Sequence, residues 1–259
     1  MGPTVTHENY FAPEIMSAYW SVSQYKAFEK CEAAGRAQLW GEWAPEETTS
    51  LLVGSYVDAY FSNDLVNFHL QHPDIFNSRT GELKAPYQQA EAIIDRIHRD
   101  PLMVKYLSGS PQVIKTAELF GFPWKIKIDS LHEDKIVDLK VVKDFVTIYE
   151  NGFGHRSFIE YWRYDVQGAI YQKVEQIASG RTEPLPFYIV AATKEKTTDI
   201  NIWQIPQWVL DAALNKVEAT IDRFELIKRG EVEPIRCECC DYCKATKTLK
   251  GPAVYEPIA

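Results

Sequence analysis

Three short runs between residues 113 and 142, VIKTAELF, WKIKIDSL and KIVDLKVV, alternate apolar and polar side chains with a period of two. Nothing else in the chain constrains its fold as tightly, because a strict period of two fits a half-buried strand and not a helix. Gly121-Phe122-Pro123 separates the first two runs and His132-Glu133-Asp134 the last two, which predicts an antiparallel meander. On the N-terminal side the pattern is helical. A helix starts at Ser21 with Gln24 completing a capping box, and Tyr25, Phe28 and Cys31 follow at helical spacing, so Cys31 should face the interior. A second helix over about 47–61 sets Leu51, Gly54 and Asp58 along one side, and a polar, loop-rich stretch runs from Phe61 to Pro86. A third, AEAIIDRIH, ends near Asp100-Pro101. Beyond the meander come a long amphipathic stretch from Arg156 to Ser179 closed by Gly180, the strands PFYIVAAT and DINIWQI, and a helix from Pro206 to Arg229 with Gly230 past its end. The chain is expected to be α/β, with helix, three strands, helix and strand in order around the middle.

The 259 residues allow one enlarged domain or two small ones. No apolar run approaches the roughly 20 residues of a membrane helix, and MGPTVTHENYF lacks the regions of a signal peptide, so the expectation is a cytoplasmic protein without membrane contact. A net charge of −8 argues against coating nucleic acid by bulk electrostatics. It leaves room for a protein that grips a few phosphates locally.

Alternation makes a geometric statement about the second and third runs. Lys125, Lys127 and Asp129 share one face of the second, and Asp138 and Lys140 project side by side from the third. If the two strands pair, Asp129 joins them. Two carboxylates beside a lysine suit metal-assisted phosphodiester hydrolysis. Hard oxygen ligands hold Mg²⁺ or Mn²⁺, the ion offsets charge on the developing phosphorane, and the lysine orients water or stabilises that charge. Taken alone, Asp-x-Lys on a strand is more often a solvated face with a weak ion pair.

The company these residues keep changes the balance. Asp129, eight intervening residues and Asp138-Leu139-Lys140 resemble the paired motif of the RecB-like branch of the PD-(D/E)xK nucleases. Gln167-Gly168-Ala169-Ile170-Tyr171 is similar to its Gln-x-x-x-Tyr motif, Glu118 stands like its upstream acidic residue, and Gly54-Ser55-Tyr56-Val57-Asp58 resembles its Gly-x-x-x-His motif. The resemblance spans about residues 21–243 and implies a restriction-endonuclease-like core, a central mixed sheet in αβββαβ order with added N- and C-terminal helices. It implies a metal held by Asp58, Glu118, Asp129, Asp138 and the Leu139 carbonyl, with Lys140 acting on the attacking water and Gln167 and Tyr171 positioning DNA or supporting the metal site. Two departures stand out. Asp58 replaces the usual histidine, and Lys127 occupies a place where members often carry glycine, either altering strand packing or supplying a phosphate contact.

Four of the five cysteines crowd into Cys237-Glu-Cys239-Cys240-Asp-Tyr-Cys243. Without a secretory signal such a cluster reads as metal binding. A tetrathiolate site needs a fourth ligand beside Cys237, Cys240 and Cys243, and either Cys239 or distant Cys31 could supply it. Some RecB-like relatives close the domain with an iron–sulfur cluster drawing one cysteine from upstream, so the resemblance implies a [4Fe-4S] cluster, with structural Zn²⁺ the alternative. The organisation expected is a single nuclease domain over 1–259, with a cysteine-rich tail, 231–259, packed on the N-terminal helix.

Arg156, Arg163 and Lys173 on the long helix, and Lys244, Lys247 and Lys250 in the tail, are candidate phosphate contacts. The function expected is a metal-dependent DNA exonuclease working from double-stranded ends in phage-type recombination. The alternative is a noncatalytic nucleic-acid-binding or assembly module that keeps the fold and a cysteine-bound metal. Resemblance to phage-type RecE-like exonucleases further implies a single-strand-annealing recombinase as partner and a homo-oligomer.

Overall fold

The computed structural model describes residues 2–150, 154–249, 251, 252 and 254. In chain order the helices before the sheet are α1 (Pro13–Ala18), α2 (Val22–Lys30), α3 (Glu32–Leu39), α4 (Thr49–Phe61), α5 (Leu65–Gln71), α6 (Ala85–His98) and α7 (Pro101–Leu107). Strands β1 (Ser110–Leu119), β2 (Phe122–Leu131) and β3 (Ile136–Val142) follow, then a small hairpin of β4 (Ile148–Glu150) and β5 (Gly154–Arg156). After it come α8 (Phe158–Tyr161), α9 (Tyr164–Ser179), β6 (Phe187–Thr193), β7 (Ile200–Gln204), α10 (Gln207–Lys228) and α11 (Asp241–Ala245). Among the described residues no helix is long and apolar enough to cross a membrane.

Two compact units emerge: Met1–Val22 with Glu46–Ala219, and Ser23–Pro45 with Thr220–Ala259. The first holds a five-stranded mixed sheet in the order β1-β2-β3-β6-β7. The expected meander is present, since β1 pairs antiparallel with β2 and β2 with β3. β6 then pairs parallel to β3, which demands a crossover, and α9 supplies it. Helix α9 covers one face of the sheet at β1 and β2, while α4, α6 and α7 cover the other. Val137, Leu139, Val190 and Ala192 face the second group of helices and share their core. Because side chains alternate, Asp138 is turned toward α9.

Several boundaries differ from expectation, each for a local reason. The first hairpin turns at Phe120 and Gly121, both at positive φ (54° and 80°), one residue earlier than the Gly-Phe-Pro spacing suggested, so Phe122 and Pro123 belong to β2. The stretch from Phe61 to Pro86 contains α5 and a single turn of 3-10 helix, which bury Phe68 and Ile75. Asp100-Pro101 is a start rather than a stop. The Asp100 carboxylate accepts from the Leu102 and Met103 amides at 3.0 Å each, and Pro101 opens α7. The stretch from Arg156 to Ser179 is not one helix. Arg156 lies in β5, and Arg163, at φ 54°, separates α8 from α9. Cys31 does not continue the first helix but stands extended ahead of α3.

The second unit has its own small core. Tyr25 and Phe28 stack against Phe224, and the Arg223 guanidinium grips the Glu32 carboxylate through two bonds of 2.7 and 2.8 Å. Its C-terminal helix, α11, packs on α3.

Candidate active site and cysteine cluster

The ladder between β2 and β3 contains only two registered pairs, Ser130 with Val137 and Leu131 with Ile136. Beyond them the strands part, and two backbone edges need partners. On β3 the freed Leu139 amide donates to Asp129 Oδ2 at 2.9 Å. On β2 the open edge is taken by Trp20, whose amide donates to the Pro123 carbonyl and whose carbonyl accepts from the Lys125 amide, both at 2.8 Å. The parting of the strands makes the recess in which the acidic residues collect.

Asp138 is 1% exposed. Its Oδ1 accepts from the Gln167 amide at 2.6 Å, and its Oδ2 pairs with Lys140 Nζ at 2.5 Å. Tyr171, one turn further along α9, donates to the Lys127 carbonyl at 2.9 Å and so steadies the backbone of β2. Gly168 lets α9 come this close. A Cβ there would lie 2.5 Å from Phe187 Cδ1 and 2.9 Å from Leu210 Cδ2. Gly168→Ala should therefore destabilise the fold by about 1–3 kcal/mol through overpacking. Thermal melts would show the loss, and the same shift should lift Gln167 off Asp138.

Asp58 approaches from α4, and a residue without any motif bridges it to Asp129. The Gln112 amide lies 3.5 Å from Asp58 Oδ1 and 3.4 Å from Asp129 Oδ1. Gln112 sits at φ 50° in β1, in the one gap of the β1–β2 register, directly opposite Asp129. An L-residue rarely holds that conformation inside a strand. Gly54, by contrast, has open space where a Cβ would project, so packing does not demand a glycine there.

The structure does not bring Glu118 to this place. It pairs with Pro123 at the hairpin end of the ladder and is exposed. Asp129 is six residues further along β2, about 20 Å away at strand rise, so the expected upstream ligand is corrected on reach. The expected phosphate contacts on the long helix are also altered. Arg156 pairs with Glu150 at 2.8 Å, Arg163 with Asp165 at 3.2 Å, and Lys173, on α9, bonds Gln176 at 3.1 Å. Lys244 and Lys247 are exposed, and Lys250 lies outside the described residues.

Electrostatics mark the acids as a group. Burial raises the Asp129 carboxyl well above its ordinary range, the charges of Asp138 and Asp58 raise it further, and Lys140 and the Leu139 amide only partly compensate. Asp58 is raised by burial and by Asp138, against the pull of Lys140 and Lys127. Lys140 resists the effect of burial and stays firmly protonated because Asp138 and Asp129 face it. Crowded carboxylates of this kind are a set of hard oxygen donors short of positive charge, which fits a divalent cation. A carboxyl raised in the folded state binds its proton more tightly there than in the unfolded chain. Without divalent ions, stability should fall as pH rises through the raised Asp129 value, above about pH 4.5 where ordinary carboxylates are already ionised. Melting in chelator should show that negative slope, and Asp129→Asn should flatten it.

In the second unit, Cys31, Cys237, Cys240 and Cys243 bring their sulfur atoms within 4.8 Å of one another. Cys31 Sγ is 3.6 Å and Cys237 Sγ 4.0 Å from Cys243 Sγ. Cys239 is exposed and outside the quartet, its sulfur 3.5 Å from that of Cys237. Although burial works against charge at Cys237, the Cys239 and Cys240 backbone amides outweigh it and bring its thiol down to about 6. A thiolate already favoured at neutral pH is primed for a metal.

Residues 21–246 match the family described as a PDDEXK-like domain of unknown function (DUF3799). The crystal structure of a protein from Eubacterium rectale, provisionally described as an exonuclease, is similar at 45% identity with a TM-score of 0.91, covering 98% of this chain and 97% of that one. A second solved structure, SSO0001, aligns at 14% identity and a TM-score of 0.30 over 86% of this chain and 93% of that one, too distant to carry weight. No protein of curated function matches significantly.

Proposed function

Since this chain belongs to the PDDEXK-like family, a nuclease fold, we propose that it is a metal-dependent DNA exonuclease that hydrolyses phosphodiester bonds from double-stranded ends. The observation that carries this reading is the recess at the parting of β2 and β3, where Asp138 pairs with Lys140, Asp129 accepts from the Leu139 amide, and Gln112 spans Asp129 and Asp58. The relative from Eubacterium rectale, provisionally described as an exonuclease, supports the same reading over nearly the whole chain.

Asp58, Asp129 and Asp138 would hold Mg²⁺ or Mn²⁺, with the Leu139 carbonyl as a further oxygen donor. The ion would offset charge on the phosphate and activate water. The chain's own residues do the rest. Gln167 fixes the Asp138 carboxylate in one rotamer, leaving its second oxygen to face Lys140. Lys140, kept protonated, supplies a fixed positive charge beside the phosphate and orients the attacking water. Tyr171 holds β2 in register by tying down the Lys127 carbonyl. The proposed setting is phage-type recombination, in which the enzyme works as a homo-oligomer and hands its single strand to an annealing recombinase.

For the cysteines we propose one structural zinc ion. Four thiolates at about 2.3 Å around a single tetrahedral ion are about 3.8 Å apart, close to the 3.6 and 4.0 Å between the sulfurs of Cys31, Cys237 and Cys243. A [4Fe-4S] cube, with its thiolates on outward corners, spaces them at roughly 6 Å. Cys31, not Cys239, is then the fourth ligand.

The decisive experiment incubates purified protein with end-labelled linear DNA and closed circular DNA, with Mg²⁺ or with chelator. Magnesium-dependent loss of linear DNA alone is expected. Cutting of circles would replace the exonuclease with an endonuclease, and binding without cutting in any metal would establish the noncatalytic module instead.

A further inference from the structure

A second lysine at the recess is ordered without being neutralised. Lys127 projects from β2 on the same face as Asp129, two residues away, and is half-buried. Its ammonium lies 5.4 Å from the ring centre of Tyr10 and 5.4 Å from that of Phe11. The two rings stand edge to face, 5.0 Å apart, and form a corner around the amine. Lys140 is committed to Asp138, but Lys127 makes no ion pair or hydrogen bond through its ammonium among the described residues.

The corner is itself built into the fold. Residues ahead of α1 run back over β2, and a turn in which the Thr6 amide donates to Asn9 Oδ1 at 2.7 Å shapes the approach. Tyr10 is then locked from below. The fully buried Lys125 donates to the Tyr10 carbonyl and packs its ammonium 4.2 Å from the centre of the Tyr10 ring. Tyr10 is buried, while Phe11 is exposed at the rim. The Lys127 backbone carbonyl is held by the Tyr171 hydroxyl of α9.

We infer that Lys127, clamped between Tyr10 and Phe11, binds a backbone phosphate of the nucleic acid next to the one at the carboxylates. The inference rests on the nuclease reading and assigns a further binding residue within it. Residues two apart on one face of a strand are about 7 Å apart, close to the step between neighbouring phosphates along a strand of nucleic acid. Lysine serves phosphate as a point charge. Ring faces hold the ammonium by cation–π attraction without cancelling its charge, so less side-chain entropy is lost when phosphate arrives.

The test is salt-dependent binding of a fluorescein-labelled duplex by Lys127→Gln and Lys127→Arg, each in a cleavage-deficient Lys140→Met background with Ca²⁺. Lys127→Gln should weaken binding about 5–10-fold at 0.1 M salt and make the slope of log K against log salt shallower by about 0.9, one phosphate contact. Lys127→Arg should restore the slope, and its melting temperature reports whether the strand survives substitution. In the active background Lys127→Gln should raise KM more than it lowers kcat. An unchanged slope with Lys127→Gln, in a protein that binds DNA, overturns this inference and leaves the nuclease reading standing. Parent protein that neither binds nor cuts DNA overturns both.

Discussion

Asp138→Asn should lower the DNA cleavage rate at saturating Mg²⁺ by at least about 10³-fold while leaving the fold intact. A divalent ion contributes several kcal/mol to a phosphoryl-transfer transition state, and about 4 kcal/mol corresponds to three decades in rate. Asn keeps the acceptor that the Gln167 amide uses, so the side chain stays where it is. What it loses is one member of a group of carboxyls that oppose one another's ionisation. It also strands Lys140, whose side chain is 18% exposed and can reach water. The two effects on stability oppose each other, so the variant should melt within a few degrees of the parent in chelator. The parent should gain several degrees when Mg²⁺ or Ca²⁺ is added, by mass action on the folded state, and Asp138→Asn should gain little. Lys140→Met should also lose most cleavage but retain the cation-induced shift, because the lysine is not a ligand. A cleaving Asp138→Asn protein, or an equal cation shift in it, would remove Asp138 from the site.

Much of this site was legible in the sequence because strand alternation is geometry. Once KIVDLKVV is a strand, Asp138 and Lys140 must share a face, Asp129 can join them only where the neighbouring strand brings it alongside, and the Gln167–Tyr171 spacing places both side chains on one side of a helix. What stayed hidden depended on register and on contacts remote in sequence. Gln112 lies opposite Asp129 only because the hairpin turns at Phe120-Gly121, and displacing that turn changes which residue faces the acids. Glu118 failed for the same reason, since a tight turn leaves it beside Pro123 and far from Asp129. Tyr10 and Phe11 carry no periodic signal. They matter through a buried lysine more than a hundred residues later, and nothing local foretells that pairing. The helix breaks at Cys31 and Arg163 likewise arise from one residue leaving helical φ and ψ, which a periodic pattern averages away.

Cys243→Ala should abolish metal binding and cost the second unit several kcal/mol, whereas Cys239→Ser should retain one metal ion per chain. Cys243 is fully buried in the sulfur quartet, and its neighbours there are Cys31, Ala33 and Ala34 more than two hundred residues away. A metal at this point closes a very long loop. A tetrathiolate ion therefore supplies folding energy directly, on a scale of about 10–16 kcal/mol in isolated zinc modules, and the unit's small aromatic core of Tyr25, Phe28 and Phe224 cannot replace that. Cys31→Ser should behave like Cys243→Ala if the upstream cysteine completes the tetrahedron. Metal analysis by emission spectrometry, with melts before and after chelation, reads all three variants, and an absorption spectrum identifies the metal. Zinc in a colourless preparation is expected. A brown protein containing four irons per chain would overturn the single-ion geometry, because the sulfurs would then have to stand well outside their present spacing. Loss of the metal in Cys239→Ser, with retention in Cys31→Ser, would exchange the fourth ligand and with it the reason that the two ends of the second unit meet.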